Sequence, residues 1–191
     1  MSKPIKIVFV SILATLVLLL AVPVIQIISF WSVVASLDDR AGKDNIINYV
    51  KENRQELETA IAELVYDKPG AEGDITERIH IPEFDGIKYV TLYRTERFCR
   101  WNEDRVDFDC GGYGLGSETG YEGFLYLLSG IEIETDPQTG FVDMTPLGFH
   151  YADNGRFKPE GNGWRWKEEH GDNTVYVEHI EGEFYYYIKE F

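Results

Sequence analysis

WRWKEEHGDNTVYVEHIEGEFYYYIKEF, residues 164–191, alternates large and polar side chains with the period of two that a β-strand imposes. Trp164–Glu168, Thr174–Ile180 and Phe184–Phe191 read as three strands, because β-branched and aromatic side chains fit a pleated surface. Between them, Gly171-Asp172-Asn173 and Glu181-Gly182 supply the residues that tight turns favour. Short turns between successive strands make an antiparallel meander.

Upstream, the same period marks further strands. Ile75, Ile79 and Ile81 alternate with Thr76, Arg78 and His80, and Ile87–Arg94, Val106–Cys110, Phe124–Leu128 and Ile131–Thr135 follow. Asp136-Pro137 and Gly140 mark another turn. Asp38–Asp67 has a different period: Ile46, Val50, Leu57, Ile61 and Leu64 fall on one helical stripe. Asp39 or Asp44 is placed to cap that helix, Arg54 and Glu58 to pair across one turn, and Pro69-Gly70 to end it. No strand–helix–strand alternation appears, which excludes a parallel nucleotide-binding sheet. The expected fold is α+β: an amphipathic helix packed on an antiparallel sheet of about five to seven strands.

Ahead of that helix, no charge occurs between Ile7 and Leu37. A bilayer core requires about 20 apolar residues in helical form, and Ile7–Ile27 has that length. Pro23 lies near its outer end, and Phe30 and Trp31 follow where an interfacial aromatic belt would sit. Lys3 and Lys6 precede the segment while Asp38 and Asp39 follow it, so the positive-inside rule leaves the N-terminus in the cytoplasm. The expected organisation is a short cytoplasmic N-terminus (1–6), a transmembrane anchor with an interfacial end (7–36) and one extracytoplasmic domain (37–191). The alternative is a secreted protein cleaved before Ser36, where Val33 and Ala35 meet the small-residue rule. A signal-peptide core runs to roughly 7–15 residues, about half the length seen here, which favours the uncleaved anchor.

Apart from Lys3 and Lys6, the chain carries 33 acidic against 16 basic residues, a balance of −17. Such a domain repels phosphate backbones, so nucleic acid is excluded as an expected partner. A basic or neutral protein, or a neutral glycan, is the expected one. Cys99 and Cys110, placed on either side of the polar stretch Trp101-Asn102-Glu103-Asp104, are expected to form a disulfide if the domain is exported.

No residue is assigned to catalysis, a metal or a cofactor. Gly111-Gly112-Tyr113-Gly114-Leu115-Gly116 lacks the Gly-Lys-Ser/Thr ending of a phosphate loop and reads as a flexible connection. Asp104, Asp107 and Asp109 lack the order of a calcium loop. His80, His150, His170 and His179 show no metal-ligand spacing, and no Ser or Cys arrangement supports a nucleophile. Aromatic side chains are the remaining signal. Trp101, Tyr113, Trp164, Trp166, Tyr185 and Tyr187 are the candidate binding residues, since Tyr and Trp are favoured in recognition surfaces. Tyr185 and Tyr187 share one strand face and Tyr186 the other, so one face shows tyrosine outward unless a second layer covers it.

The expected function is a membrane-anchored binding module, in one version an inhibitor or immunity-type protein that neutralises a basic effector. The alternatives are a small envelope enzyme acting on wall polysaccharide and a structural subunit of a membrane assembly.

Overall fold

The computed structural model describes residues 20–29, 32, 40–67, 73–74, 79–93, 104–115, 118–128, 133, 135–149 and 156–191. The chain divides into two compact units, Met1–Asp38 and Asp39–Phe191. In the first, residues 20–29 form part of helix α1, and Leu20, Val24, Ile25, Ile27 and Ile28 are all more than half exposed. Among the described residues no helix is long and apolar enough to cross a membrane. The remainder of the expected span, and the sites at Val33, Ala35 and Ser36, lie outside the described residues.

The second unit is α+β. Helices α2 (Lys43–Glu52) and α3 (Arg54–Asp67) precede nine strands: β1 (Gly73–Asp74), β2 (Tyr89–Tyr93), β3 (Arg105–Leu115), β4 (Glu118–Leu127), β5 (Val142–Asp143), β6 (Arg156–Glu160), β7 (Gly163–Lys167), β8 (Thr174–Glu181) and β9 (Phe184–Glu190). Among the described residues, eight strands pair antiparallel in the order β1-β2-β3-β4-β9-β8-β7-β6, and the short β5 continues the sheet beyond β6. The sheet is two meanders, β1–β4 and β5–β9, joined where β4 meets β9.

Several expectations are corrected. The strand count exceeds seven because β1 and β5 are only two residues long and β6, Arg-Phe-Lys-Pro-Glu, carries a proline that argues against a strand. Ile79 and Ile81 belong to no strand; they pack as coil against the helix-side core. Thr135 makes only a single bridge, to Val142. The glycine run is not a flexible connection. Gly111, Gly112 and Gly114 lie within β3, which pairs with β4 on both sides of a bulge between Asp109 and Gly112. A Cβ on Gly112 would collide with the Gly120 carbonyl, so glycine here permits the close approach of two strands.

The single helix expected over Asp38–Asp67 is two. It starts at Lys43, and Asn53 interrupts it, its backbone N–H and side-chain amide both donating to the Tyr49 carbonyl. The expected stripe is nonetheless the buried one: Ile46, Val50, Leu57, Ile61 and Leu64 cover Val90, Val106, Phe108, Phe124 and Phe184 on one sheet face. Phe108 and Phe124, directly paired across β3 and β4, stack at 4.3 Å between ring centroids. Arg54 bonds Glu58 as expected (2.8 Å), and also reaches Glu181 on β8 (2.7 Å).

Asp44 does not cap α2; its N-cap is Gly42, at φ +85°, with no side-chain cap, and Asp39 lies outside the described residues. Glu122 on β4, 3% exposed, reaches across instead, accepting from the Gly42 N–H (2.5 Å) and the Tyr186 hydroxyl (3.0 Å). Beside it Glu178 on β8 accepts from Lys43 Nζ and the Tyr176 hydroxyl, both at 2.5 Å. Two carboxylates on the sheet thus hold the first turn of the helix.

The opposite face has its own core. The segment from Val142 through Met144, Leu147 and Phe149 covers Leu125, Leu127, Val175, Val177, Tyr185 and Tyr187.

Burial alone would raise the Glu178 carboxyl, but Lys43 and Tyr176 outweigh it and hold it below the ordinary 4.5. Burial likewise pulls Lys43 down, and its bonds to Glu178 and Tyr176 carry it above 10.5. A depressed carboxyl contributes its stability fully above about pH 4.5 and loses it as pH falls through the folded value. A raised amine contributes fully below 10.5 and loses it at higher pH. Glu178→Gln is therefore expected to flatten the acid limb of a stability–pH curve, read by urea unfolding between pH 2 and 7. An unchanged acid limb rules out the pair as its source. Glu122→Ala strands the buried Tyr186 hydroxyl and the half-buried Gly42 N–H and is expected to cost about 2–4 kcal/mol at neutral pH.

Candidate binding surface

Part of the second face stays open. β2 puts Val90 and Leu92 into the helix-side core, which turns Tyr89, Thr91 and Tyr93 to the other side. β3 likewise buries Val106, Phe108 and Cys110 and presents Asp107 and Asp109 beside those residues, in the register Thr91↔Asp107 and Tyr89↔Asp109. β4 adds Tyr121, β9 adds Tyr187 and Lys189, and Phe191 follows directly after β9. Together they line a concavity of about 430 Å³.

Its shape follows from a missing side chain. Gly123 lies between Asp109 and Tyr187 in the cross-strand row, and a Cβ there would meet the Phe108 carbonyl and the Tyr187 hydroxyl. The Tyr187 ring therefore lies over β4 as the floor, 3% exposed, while Tyr89 (61%), Tyr121 (45%) and Phe191 (37%) stand at the rim. Burial, with Asp107 and Asp109 nearby, pushes the Tyr187 hydroxyl far above its usual range.

The charges are held by neighbours. Arg105, 7% exposed, donates from Nε to Asp107 Oδ1 (2.9 Å) and lies 4.1 Å over the Tyr93 ring. Asp109 accepts the Gly111 N–H at 3.0 Å. Lys189 Nζ lies 4.5 Å from the Tyr187 centroid and 5.3 Å from that of Phe149. Burial lowers its pKa, against the opposing pull of Asp107 and Asp109. No Ser, Cys or His occurs among the described lining residues. Such a surface offers ring faces for stacking and a fixed, nearly balanced set of charges.

Of the six expected binding residues, only Tyr187 lines this concavity. Trp166 (8% exposed) and Tyr185 (8%) belong to the second core, and Trp164 packs against it. Among the described residues the buried Trp166 indole N–H has no acceptor. Tyr113 donates to Glu190 Oε1 (2.9 Å) beneath the Arg40 guanidinium, 4.2 Å from its ring, and covers Gly120. Trp101 lies outside the described residues. Sequence reasoning missed Tyr89 and Tyr93, although the alternation of Tyr89-Val90-Thr91-Leu92-Tyr93 carries the signal once β2 is known to bury its even-numbered side.

The expected disulfide is not supported. Cys110 is a free thiol, fully buried in the helix-side core, where burial raises its pKa far above the ordinary range. Cys99 lies outside the described residues. Among the described residues no group of three His, Cys, Asp or Glu side chains is placed to hold a metal ion.

Comparison of the chain with protein-family models, with curated proteins and with solved structures finds no match to any of the three.

Gly123→Ala is expected to destabilise the domain by about 1–3 kcal/mol, because a methyl has no room beneath Tyr187. Tyr89→Ala and Tyr121→Ala, being exposed, are expected to stay within about 0.5 kcal/mol of the parent. Urea midpoints of the three variants decide both points, and a large loss at Tyr89 would show that its ring serves the fold.

Proposed function

We propose that the chain is a membrane-anchored, extracytoplasmic binding module whose tyrosine-lined sheet face recognises a basic protein segment or a neutral glycan. The observation that carries this reading is the concavity of Tyr89, Tyr121 and Phe191 over Tyr187, where large aromatic side chains remain exposed on an otherwise packed sheet. Aromatic side chains exposed around a concave site bring large contact area at low entropic cost, which is where binding energy concentrates. Flat rings also suit the apolar faces of sugars. The acidic balance of −17, from 33 acidic against 16 basic residues after Lys6, supports a basic protein as the protein partner and favours an inhibitor or immunity-type role. The polysaccharide-hydrolase alternative draws less support, because Asp107 is engaged by Arg105 and Asp109 by a backbone N–H. The anchor rests on the uncharged run from Ile7 to Leu37 and on the exposed apolar side chains of residues 20–29.

Topology is tested with a tag after Phe191 and external protease on intact, wall-stripped cells. Loss of the tag while a cytoplasmic control survives is the expected result; survival until lysis places the domain inside and removes the anchor orientation. Binding is tested by passing an envelope extract and a panel of neutral oligosaccharides over the immobilised protein and its Tyr89→Ala/Tyr121→Ala variant. The double variant is expected to lose at least tenfold in affinity for whatever the parent retains, at about 1 kcal/mol or more per ring. A basic protein partner is expected to bind less tightly as salt rises, and a glycan to be indifferent to it. Equal retention by parent and variant would remove the tyrosine face from the proposal.

A further inference from the structure

The residues Arg156 to Lys167 reverse the charge of the domain: four basic side chains and one acidic one within twelve positions of a chain whose net charge is −15. On β6, Arg156 and Lys158 flank the buried Phe157; on β7, Arg165 and Lys167 flank the buried Trp166. Strand alternation therefore turns all four cations to one side. Lys158 pairs directly with Arg165, and the same register brings Arg156 opposite Lys167. Cross-strand neighbours stand about 5 Å apart, and alternate residues along a strand about 6–7 Å.

Like charges directly opposite each other destabilise a sheet. Here the four cations line one concavity of about 550 Å³, floored in part by Phe141. Among the residues that line it, Glu160 and Glu169 offset them; Arg165 Nη1 also lies 3.9 Å from Glu190 Oε2, and Asp143 stands opposite Arg156 across β5 and β6. Arg165 is already oriented, its Nε on Glu160 Oε1 (2.6 Å) and its guanidinium 5.2 Å from the Tyr176 centroid. Lys158 Nζ stands 5.9 Å from the Phe141 ring.

We propose that the β6–β7 hairpin is a binding site for a phosphate-bearing ligand, held by Arg156, Lys158, Arg165 and Lys167. A phosphate carries a charge of about −1.5 to −2 as a monoester and about −1 as a diester at neutral pH, with two or three free acceptor oxygens, so it can take several cationic donors at once where a single carboxylate takes fewer. Arginine forks and lysine ammonium groups are the side chains that recognise it. The group belongs either to a free phosphate compound or to a phospholipid head group.

The test uses the full ¹⁵N-labelled chain in dodecylmaltoside micelles. Inorganic phosphate is titrated against chloride at constant ionic strength, and phosphatidylglycerol is doped into the micelles against phosphatidylcholine. The expected result is saturable shifts at the amides of residues 156–167 and at the Arg156 and Arg165 side chains. Shifts with phosphate but not chloride assign a free ligand; shifts only with phosphatidylglycerol assign a head group. Arg156→Gln/Lys158→Gln/Lys167→Gln, three exposed positions, is expected to weaken either response at least tenfold with the amide dispersion intact. Equal shifts with chloride, no saturable shift in any arm, or undiminished binding by the triple variant would overturn the site.

Discussion

β9 places Phe184-Tyr185-Tyr186-Tyr187-Ile188 between β4 and β8, and through it alone the two meanders become one sheet. Its period of two divides consecutive aromatics between two cores. Phe184 and Tyr186 face α2 and α3, while Tyr185 and Tyr187 face the segment from Val142 to Phe149. A residue slip in this strand would send both sets to the wrong side, so both layers of the domain depend on one register. The open tyrosine face depends on it as well, because the same register lays Tyr187 over Gly123.

The helix layer is fixed by polar contacts as well as by apolar burial. Glu122 and Glu178, each under 10% exposed, stand on different strands and meet the beginning of α2 through Gly42 and Lys43. Buried carboxylates of this kind stabilise only when their lone pairs are met, and here each accepts two bonds. An apolar stripe sets which side of a helix faces the sheet. It is less particular about position along the helix axis, and these bonds specify where the first turn sits.

The helical stripe and the last three strands were legible in the sequence because each is a long run with one period. Ile46, Val50, Leu57, Ile61 and Leu64 recur as a helix requires, and the aromatic strands alternate from Trp164 onward. The break at Asn53 was not legible, since the stripe passes through it in phase. The second core was hidden because its cover, Val142 to Phe149, contains only a two-residue strand and a single 3-10 turn, Thr145–Leu147, and so has no period. That omission decided the reading of the site. Without a visible cover, Tyr185 and Trp166 looked as available as Tyr89 and Tyr121, and composition cannot separate them. The glycines from Gly111 to Gly114 misled for a related reason: glycine signals flexibility in isolation, yet between two strands it signals close approach.

The central position of β9 also has a bearing on time. Each meander can form from neighbours in sequence, but the seam between them joins Gly120 to Glu190 and Tyr126 to Phe184, and Lys43 finds Glu178 across 135 positions. Contacts so distant along the chain must bear the entropy of closing long loops before they contribute anything, which places such a topology among slow folders, on the order of milliseconds to seconds. Until β9 arrives, β4 and β8 each present an unpaired edge together with the phenylalanines beneath α2, surfaces prone to join other chains. The interval before that seam closes, more than the stability of the finished sheet, is when the domain is most exposed to aggregation.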